Sequence, residues 1–142
     1  DERIFRLPPM DLKTDLLSKP ISERLKYDPA TNIFFVNFEG LQIRSLKDIE
    51  AIRTQTEAVL RPLGRKVDAI VNYDNFSILP ELVDDYADAV KYIVSSFYEK
   101  VTRYTTSAFL RMKLGDGLKA RGFASHVYES REEARKGLKS EK

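Results

Sequence analysis

Val67-Asp68-Ala69-Ile70-Val71-Asn72-Tyr73 is the stretch on which the fold turns. Its Ala-Ile-Val run lacks the apolar–polar alternation of a half-solvated strand. It suits a central strand covered on both faces, as in parallel sheets. Parallel neighbours need crossovers, and helices flank the run on each side. Upstream, Ser45-Leu46-Lys47-Asp48 has the form of a capping box with Asp in place of Glu. Ile49, Ile52, Val59, Leu60 and Leu63 follow at helical spacing, and Gly64 fits the stop. Downstream, Pro80 stands where a helix places its first residue. Glu81, Asp84 and Asp85 occupy the first turn, where the helix dipole favours acids. Leu82, Val83, Tyr86, Val90, Ile93, Val94 and Phe97 then draw an apolar stripe.

Further out, Glu23-Arg24-Leu25-Lys26-Tyr27 alternates polar and apolar residues. Asp28-Pro29-Ala30-Thr31-Asn32 signals a turn, and Ile33-Phe34-Phe35-Val36-Asn37-Phe38-Glu39 is rich in β-formers. The three together predict a β-hairpin. Towards the C-terminus, the Thr- and Tyr-rich residues 101–109 predict a strand. Residues 111–121 predict a helix weakened by Gly115 and Gly117 and closed by Gly122. His126-Val127-Tyr128-Glu129 predicts a short strand. Ser130-Arg131-Glu132-Glu133 is a capping box for a last helix that holds Ala134 and Leu138. Residues 139–142 are expected to fray. The order is β-β-α-β-α-β-α-β-α: about five strands and four helices in an α/β fold with a largely parallel sheet. An opening hairpin ahead of a βα series resembles the STAS, or SpoIIAA-like, fold of anti-sigma-factor antagonists and transporter tails. Residues 1–20 read as a connector, punctuated by Pro8-Pro9 and Lys19-Pro20. Met10, Leu12, Leu16 and Leu17 suit a short amphipathic helix within it. Residues 21–142 are expected to form a single STAS-like domain.

The 142 residues carry 24 Lys+Arg against 22 Asp+Glu, a net charge of +2. This length fits one domain that needs no disulfide or metal staple. Balanced charge and 11% aromatics exclude a disordered chain and argue against a nucleic-acid partner, which calls for a concentrated basic excess. Zero Cys removes disulfides, thiolate nucleophiles and Cys-based zinc sites, and one His leaves a single imidazole. No apolar run approaches the roughly 18 residues of a membrane span, and no signal-peptide pattern opens the chain. The expectation is a cytoplasmic protein with no membrane partner. Because the first residue is Asp, the chain is expected to be a piece of a longer one.

Several segments resemble class I acyl-CoA:acetate/3-ketoacid CoA-transferases. Asp1-Glu2-Arg3-Ile4-Phe5 is similar to the segment that closes their two-lobed catalytic region. The run Phe34-Phe35-Val36-Asn37-Phe38-Glu39-Gly40-Leu41 resembles a C-terminal extension found in a long subgroup. So do Val71-Asn72-Tyr73-Asp74-Asn75-Phe76, Arg103-Tyr104-Thr105-Thr106-Ser107-Ala108-Phe109-Leu110-Arg111-Met112-Lys113-Leu114-Gly115 and Tyr128-Glu129-Ser130. The resemblance implies CoA transfer between an acyl-CoA and a carboxylate. An upstream glutamate would attack the thioester and pass through an anhydride and an enzyme–CoA thioester. Coenzyme A would then be a substrate of the parent enzyme, with no cofactor in this part and no turnover from these residues alone. The implied partners are its own upstream catalytic domain and, for the full-length protein, further copies of itself.

Candidate sites follow from residue type. Asp74, Asn75 and Ser77 lie between the central strand and a Pro-started helix, where open α/β sheets bind ligands. The STAS resemblance implies a phosphorylated serine in this loop, which Ser77 would be; the plainer reading is that all three satisfy loop and cap amides. Arg111, Lys113, Lys119 and Arg121 flank Gly115-Asp116-Gly117 and could hold the phosphates of CoA, although no Walker A or G-x-G-x-x-G spacing is present. The plainer reading is a solvated helix face. Glu39-Gly40 reads as a strand end and turn, and His126 as a structural residue with no metal role. Tyr73, Phe76, Tyr98, Tyr104 and Phe109 read as core rather than as a stacking platform.

Three functions fit these residues: an accessory domain of a CoA-transferase, a stand-alone STAS-like module switched by phosphorylation or ligand, and a small enzyme. The lack of any acid–base constellation disfavours the last.

Overall fold

The computed structural model describes residues 19–140. The connector helix expected within residues 10–17 and the segment 1–5 lie outside the described residues. The predicted hairpin is present. Strand β1 (Leu25–Asp28) runs antiparallel to β2 (Ile33–Asn37), with Leu25 opposite Val36 and Asp28 opposite Ile33. Its turn is built by Asp28, whose carboxylate accepts from the Ala30 N–H at 3.1 Å and the Thr31 hydroxyl at 2.8 Å. Asn32 completes it at φ 57°, a left-handed conformation that asparagine tolerates.

Helix α1 (Leu46–Leu60) starts where Asp48 accepts from the backbone N–H of Ser45 and of Arg44. It ends through a 3₁₀ turn at Gly64, whose φ of 67° an L side chain rarely adopts. Strand β4 (Val67–Asn72) then pairs parallel to β2. Helix α2 (Val83–Phe97) follows a 3₁₀ turn begun by Pro80 and leads directly into β6 (Tyr98–Tyr104), parallel to β4. The principal sheet has the order β1-β2-β4-β6. Helices α3 (Ala108–Ala120) and α4 (Arg131–Ser140) complete a mixed α/β fold with four α-helices.

Burial explains why the stretch 67–73 governs the fold. Ala69 and Val71 pack with Phe34 and Val36 under α1 and α2, against Ile49, Ile52, Ala89, Ile93 and Phe97. Ile70, on the alternate phase, packs with Ile33 beneath Ala134 and Leu138 of α4 on the opposite face. Burying each such side chain contributes about 1.5–3 kcal/mol. Two hydrogen bonds fix α4 to the sheet edge: the Thr102 hydroxyl donates to the Ala134 carbonyl at 2.9 Å, and Lys100 donates to the Leu138 carbonyl at 3.1 Å.

Three expectations need correction. The strand expected over 101–109 covers Tyr98–Tyr104, and Phe109 belongs to α3. Thr105 and Thr106 leave the ladder because their side chains bond to Asp74, and Ser107 caps α3 by accepting from the Leu110 N–H at 3.1 Å. The strand expected at 126–129 is reduced to one parallel bridge, Tyr104 to Tyr128. A small parallel pair, β3 (Gln42–Ile43) with β5 (Ser77–Ile78), was not foreseen. It forms where the segments after β2 and β4 travel together, the Ser77 N–H donating to the Leu41 carbonyl at 3.0 Å. The last helix continues through Ser140, beyond the expected start of fraying.

Candidate functional site

The carboxyl ends of β2, β4 and β6 point to one end of the sheet, and the candidate residues gather there. Asp74 is a tie between loops. Its Oδ1 accepts from the Thr105 hydroxyl at 2.8 Å, the Thr106 N–H at 2.6 Å and the Thr106 hydroxyl at 3.0 Å. Its backbone carbonyl accepts from the Gly40 N–H at 2.9 Å. Asn75 makes the turn at φ 54°. Ser77 lies on β5 with an exposed side chain that borders a cavity. The plainer reading thus describes Asp74, whereas Asn75 contributes a turn conformation and Ser77 faces open space.

The four basic residues do not converge. Arg111 donates to the Thr105 carbonyl at 2.7 Å and lies 3.7 Å from Glu129. Lys119 is exposed. Lys113 sits over the Phe109 ring at 5.5 Å, and Arg121 pairs with Asp84 at 2.9 Å. Lys113 and Arg121 nevertheless border the same cavity as Ser77. Glu39 and Gly40 serve the strand end: the Glu39 carbonyl accepts from buried Arg24 at 2.7 Å, and Gly40 turns at φ 71°. His126 packs edge-to-face on Tyr128 at 4.3 Å. Among the described residues no group of three or more His, Asp or Glu side chains is placed to hold a metal.

The cavity that Ser77, Lys113 and Arg121 border measures about 470 Å³ and opens between α2, α3 and the β5 segment. This is within the size range of small-molecule pockets, and its walls are predominantly apolar. Phe76 and Tyr73 continue the aromatic cluster formed with Phe38 and Tyr86, with ring centroids 5.0–6.0 Å apart. Val83 and Val90 line one wall from α2, and Leu110, Leu114 and Leu118 line the other from α3. These leucines recur every four residues on one helix face. Helix α3 has no fully buried side chain, unlike α1, α2 and α4, because this stripe borders a cavity.

Arg103 stands at the inner end of the cavity. Its side chain is on the helix-covered face of β6, in register with Val71 of β4. The residue is 3% exposed, and its guanidinium makes no hydrogen bond or ion pair among the described residues; since no fully enclosed side-chain nitrogen there lacks a partner, it keeps its remaining contact with the open cavity. Two phenols, of Tyr73 and Tyr86, line the same cavity. The Tyr73 and Tyr86 hydroxyls bond to each other at 2.9 Å. Burial pushes the Tyr86 phenol well above its ordinary range, with Tyr73 adding to the rise and Arg103 opposing it; burial raises Tyr98 in the same way. The Tyr86 and Tyr98 hydroxyls are therefore neutral hydrogen-bonding groups at physiological pH.

Sequence reasoning missed Arg103. The available signal was its phase: in β6 it shares the covered face with Val101, where an aliphatic residue is the usual choice. A second, wider hollow of about 700 Å³ lies on the other sheet face beside α4, floored by Phe35, Asn72 and Tyr104. Arg131 stacks over Phe35 there at 4.6 Å. Its cation is already engaged, whereas Arg103 has no such contact among the described residues.

No helix among the described residues is long and apolar enough to cross a membrane. Comparison with protein-family models, with curated proteins and with solved structures returned no match.

Proposed function

We propose that this chain is an accessory, small-molecule-binding domain of an acyl-CoA:acetate/3-ketoacid CoA-transferase-like enzyme. In this reading the upstream lobes move CoA between an acyl-CoA and a carboxylate, and a STAS-like domain reports on a ligand. Its partners are that catalytic region and, in the full-length protein, other copies of the chain, in the cytoplasm. The observation that carries the binding role is an apolar cavity at the carboxyl ends of parallel strands, lined by a deeply buried arginine that has no ion pair among the described residues. That end is where open α/β sheets hold ligands. The parent's catalytic glutamate is assigned to the upstream region, so a small molecule here would modulate chemistry performed elsewhere.

Two experiments test the two halves. The coding sequence ahead of Asp1 tests the family: a two-lobed α/β region ending in a catalytic glutamate segment supports it, and an initiator codon directly before Asp1 overturns it. For the binding role, amide spectra of the chain are recorded during titration with octanol, a neutral apolar probe. Shifts confined to Tyr73, Val83, Leu110, Leu114 and Leu118 are expected. Shifts distributed elsewhere, or none, overturn the role.

The exposure of Ser77 at the cavity rim favours a second reading, a stand-alone STAS-like module switched by phosphorylation. Added phosphate would bring about −1.5 to −2 charges beside Lys113 and Arg121. Intact mass after incubation with a cognate kinase tests it, and an unmodified Ser77 refutes it.

A further inference from the structure

We propose that the α2–α3 cavity takes a free monocarboxylate with an apolar tail, its carboxylate on Arg103 and its tail along Leu110, Leu114 and Leu118. The inference rests on the binding role above and adds the chemistry of the occupant. Fully buried arginines are rare unless paired, because desolvating the cation is costly without a counter-charge. Among the described residues Arg103 has no counter-charge, and it borders open cavity, so an anion entering the cavity has a place to sit beside it. A guanidinium presents a planar fork that fits a two-oxygen anion in bidentate fashion.

The donor inventory selects carboxylate over phosphate. The Tyr73 and Tyr86 hydroxyls hold two protons between them, and their mutual bond uses one. One phenolic donor is left in the cavity that Arg103 also lines. That set matches a monoanion with two oxygens. A phosphate monoester would bring nearly two charges and three oxygens to a single buried cation. The other cations of the cavity lie at its rim: Arg121 pairs with exposed Asp84 at 2.9 Å, and Lys113 lies over the Phe109 ring.

The same geometry separates a free acid from its CoA thioester. A thioester entering tail-first brings no anion to the inner end and leaves Arg103 unpaired. The domain would therefore register free acid, the species that accepts or gives up CoA in the proposed parent reaction, rather than the acyl-CoA.

Calorimetric titration of the chain with octanoate, octanamide and octanoyl-CoA tests the assignment. Octanoate is expected to bind at least about tenfold more tightly than octanamide or octanoyl-CoA. Arg103→Met should weaken octanoate about 10–100-fold, the loss of one or two charge-assisted hydrogen bonds, and bring acid and amide to equal affinity. Arg103→Lys should retain part of the preference, since the charge stays and the fork is lost. The comparison of acid with amide on the unaltered chain does not depend on any variant folding. Equal binding of acid and amide, or an unchanged octanoate affinity in Arg103→Met, overturns the carboxylate assignment and leaves the binding role standing. No binding by any of the three overturns both.

Discussion

Replacing Arg103 by methionine should make the ligand-free domain more stable, although it removes a buried, well-enclosed side chain. Arg103 is 3% exposed and has no ion pair among the described residues, so the folded state has stripped much of the water from a cation without giving it a counter-charge. A fully interior ion carries an effective penalty of several kcal/mol. The guanidinium borders an open cavity, which lowers the cost, so about 1–3 kcal/mol is the fitting range. Methionine keeps the unbranched stem, fills similar space and carries no charge. The unfolding free energy of Arg103→Met should therefore rise by about 1–3 kcal/mol. The melting temperature should increase by roughly 3–10 °C for a domain of this size. Urea denaturation followed by circular dichroism measures the first quantity and calorimetry the second. A loss of more than about 1 kcal/mol would refute the reasoning, because it would mean that Arg103 is held by compensating contacts. Stability gained where binding is lost is the signature of a site kept for function.

Arg24, equally buried, is the opposite case. It donates to the carbonyls of Lys19, Asn37 and Glu39, so Arg24→Met should cost about 2–3 kcal/mol by leaving buried acceptors unmet, as read from the urea midpoint. A methyl group on Gly137 would run into the Tyr128 ring, so Gly137→Ala should destabilise by about 1–3 kcal/mol and loosen α4, visible as faster amide exchange there. Glu57 accepts from Tyr92 at 2.6 Å and pairs with Arg61 and Arg53, which holds its carboxyl below the ordinary value of 4.5. A lowered folded-state pKa contributes stability above the unfolded value and loses it as pH falls through the folded one. The stability difference between the unaltered chain and Glu57→Gln should accordingly be constant above about pH 4.5 and vanish on further acidification; a difference that grows towards acid contradicts this.

Much of the fold was legible because its elements announce themselves locally. Asp28 and Asn32 mark the hairpin turn, Asp48 the start of α1, and Gly64 its end. The stretch 67–73 carries no alternation because α4 covers Ile70 while α1 and α2 cover Ala69 and Val71. What was misread depends on partners distant in sequence. Thr105 and Thr106 look like strand residues until Asp74, about thirty positions earlier, draws their side chains out of the ladder. Strands β3 and β5 are two residues each, too short for any periodicity, and exist because two loops run side by side. The site followed the same division. Ser77, Lys113 and Arg121 drew notice by residue type and do reach one cavity. Arg111 and Lys119 have the same chemistry in sequence, but Arg111 faces the Thr105 carbonyl and Lys119 faces solvent. Arg103 was hidden within a strand, because its meaning comes from burial beside a cavity with no ion pair among the described residues, a property only packing reveals.

The most direct measurement is a crystal structure of the chain with ω-bromooctanoate, whose bromine marks the tail end by anomalous scattering. The bromine should lie among Leu110, Leu114 and Leu118, and the carboxylate oxygens about 2.7–2.9 Å from the Arg103 guanidinium nitrogens. A bromine at the inner end with the carboxylate in solvent, or an acid bound on the Phe35 face of the sheet, would contradict the assignment of Arg103 as the anion's partner.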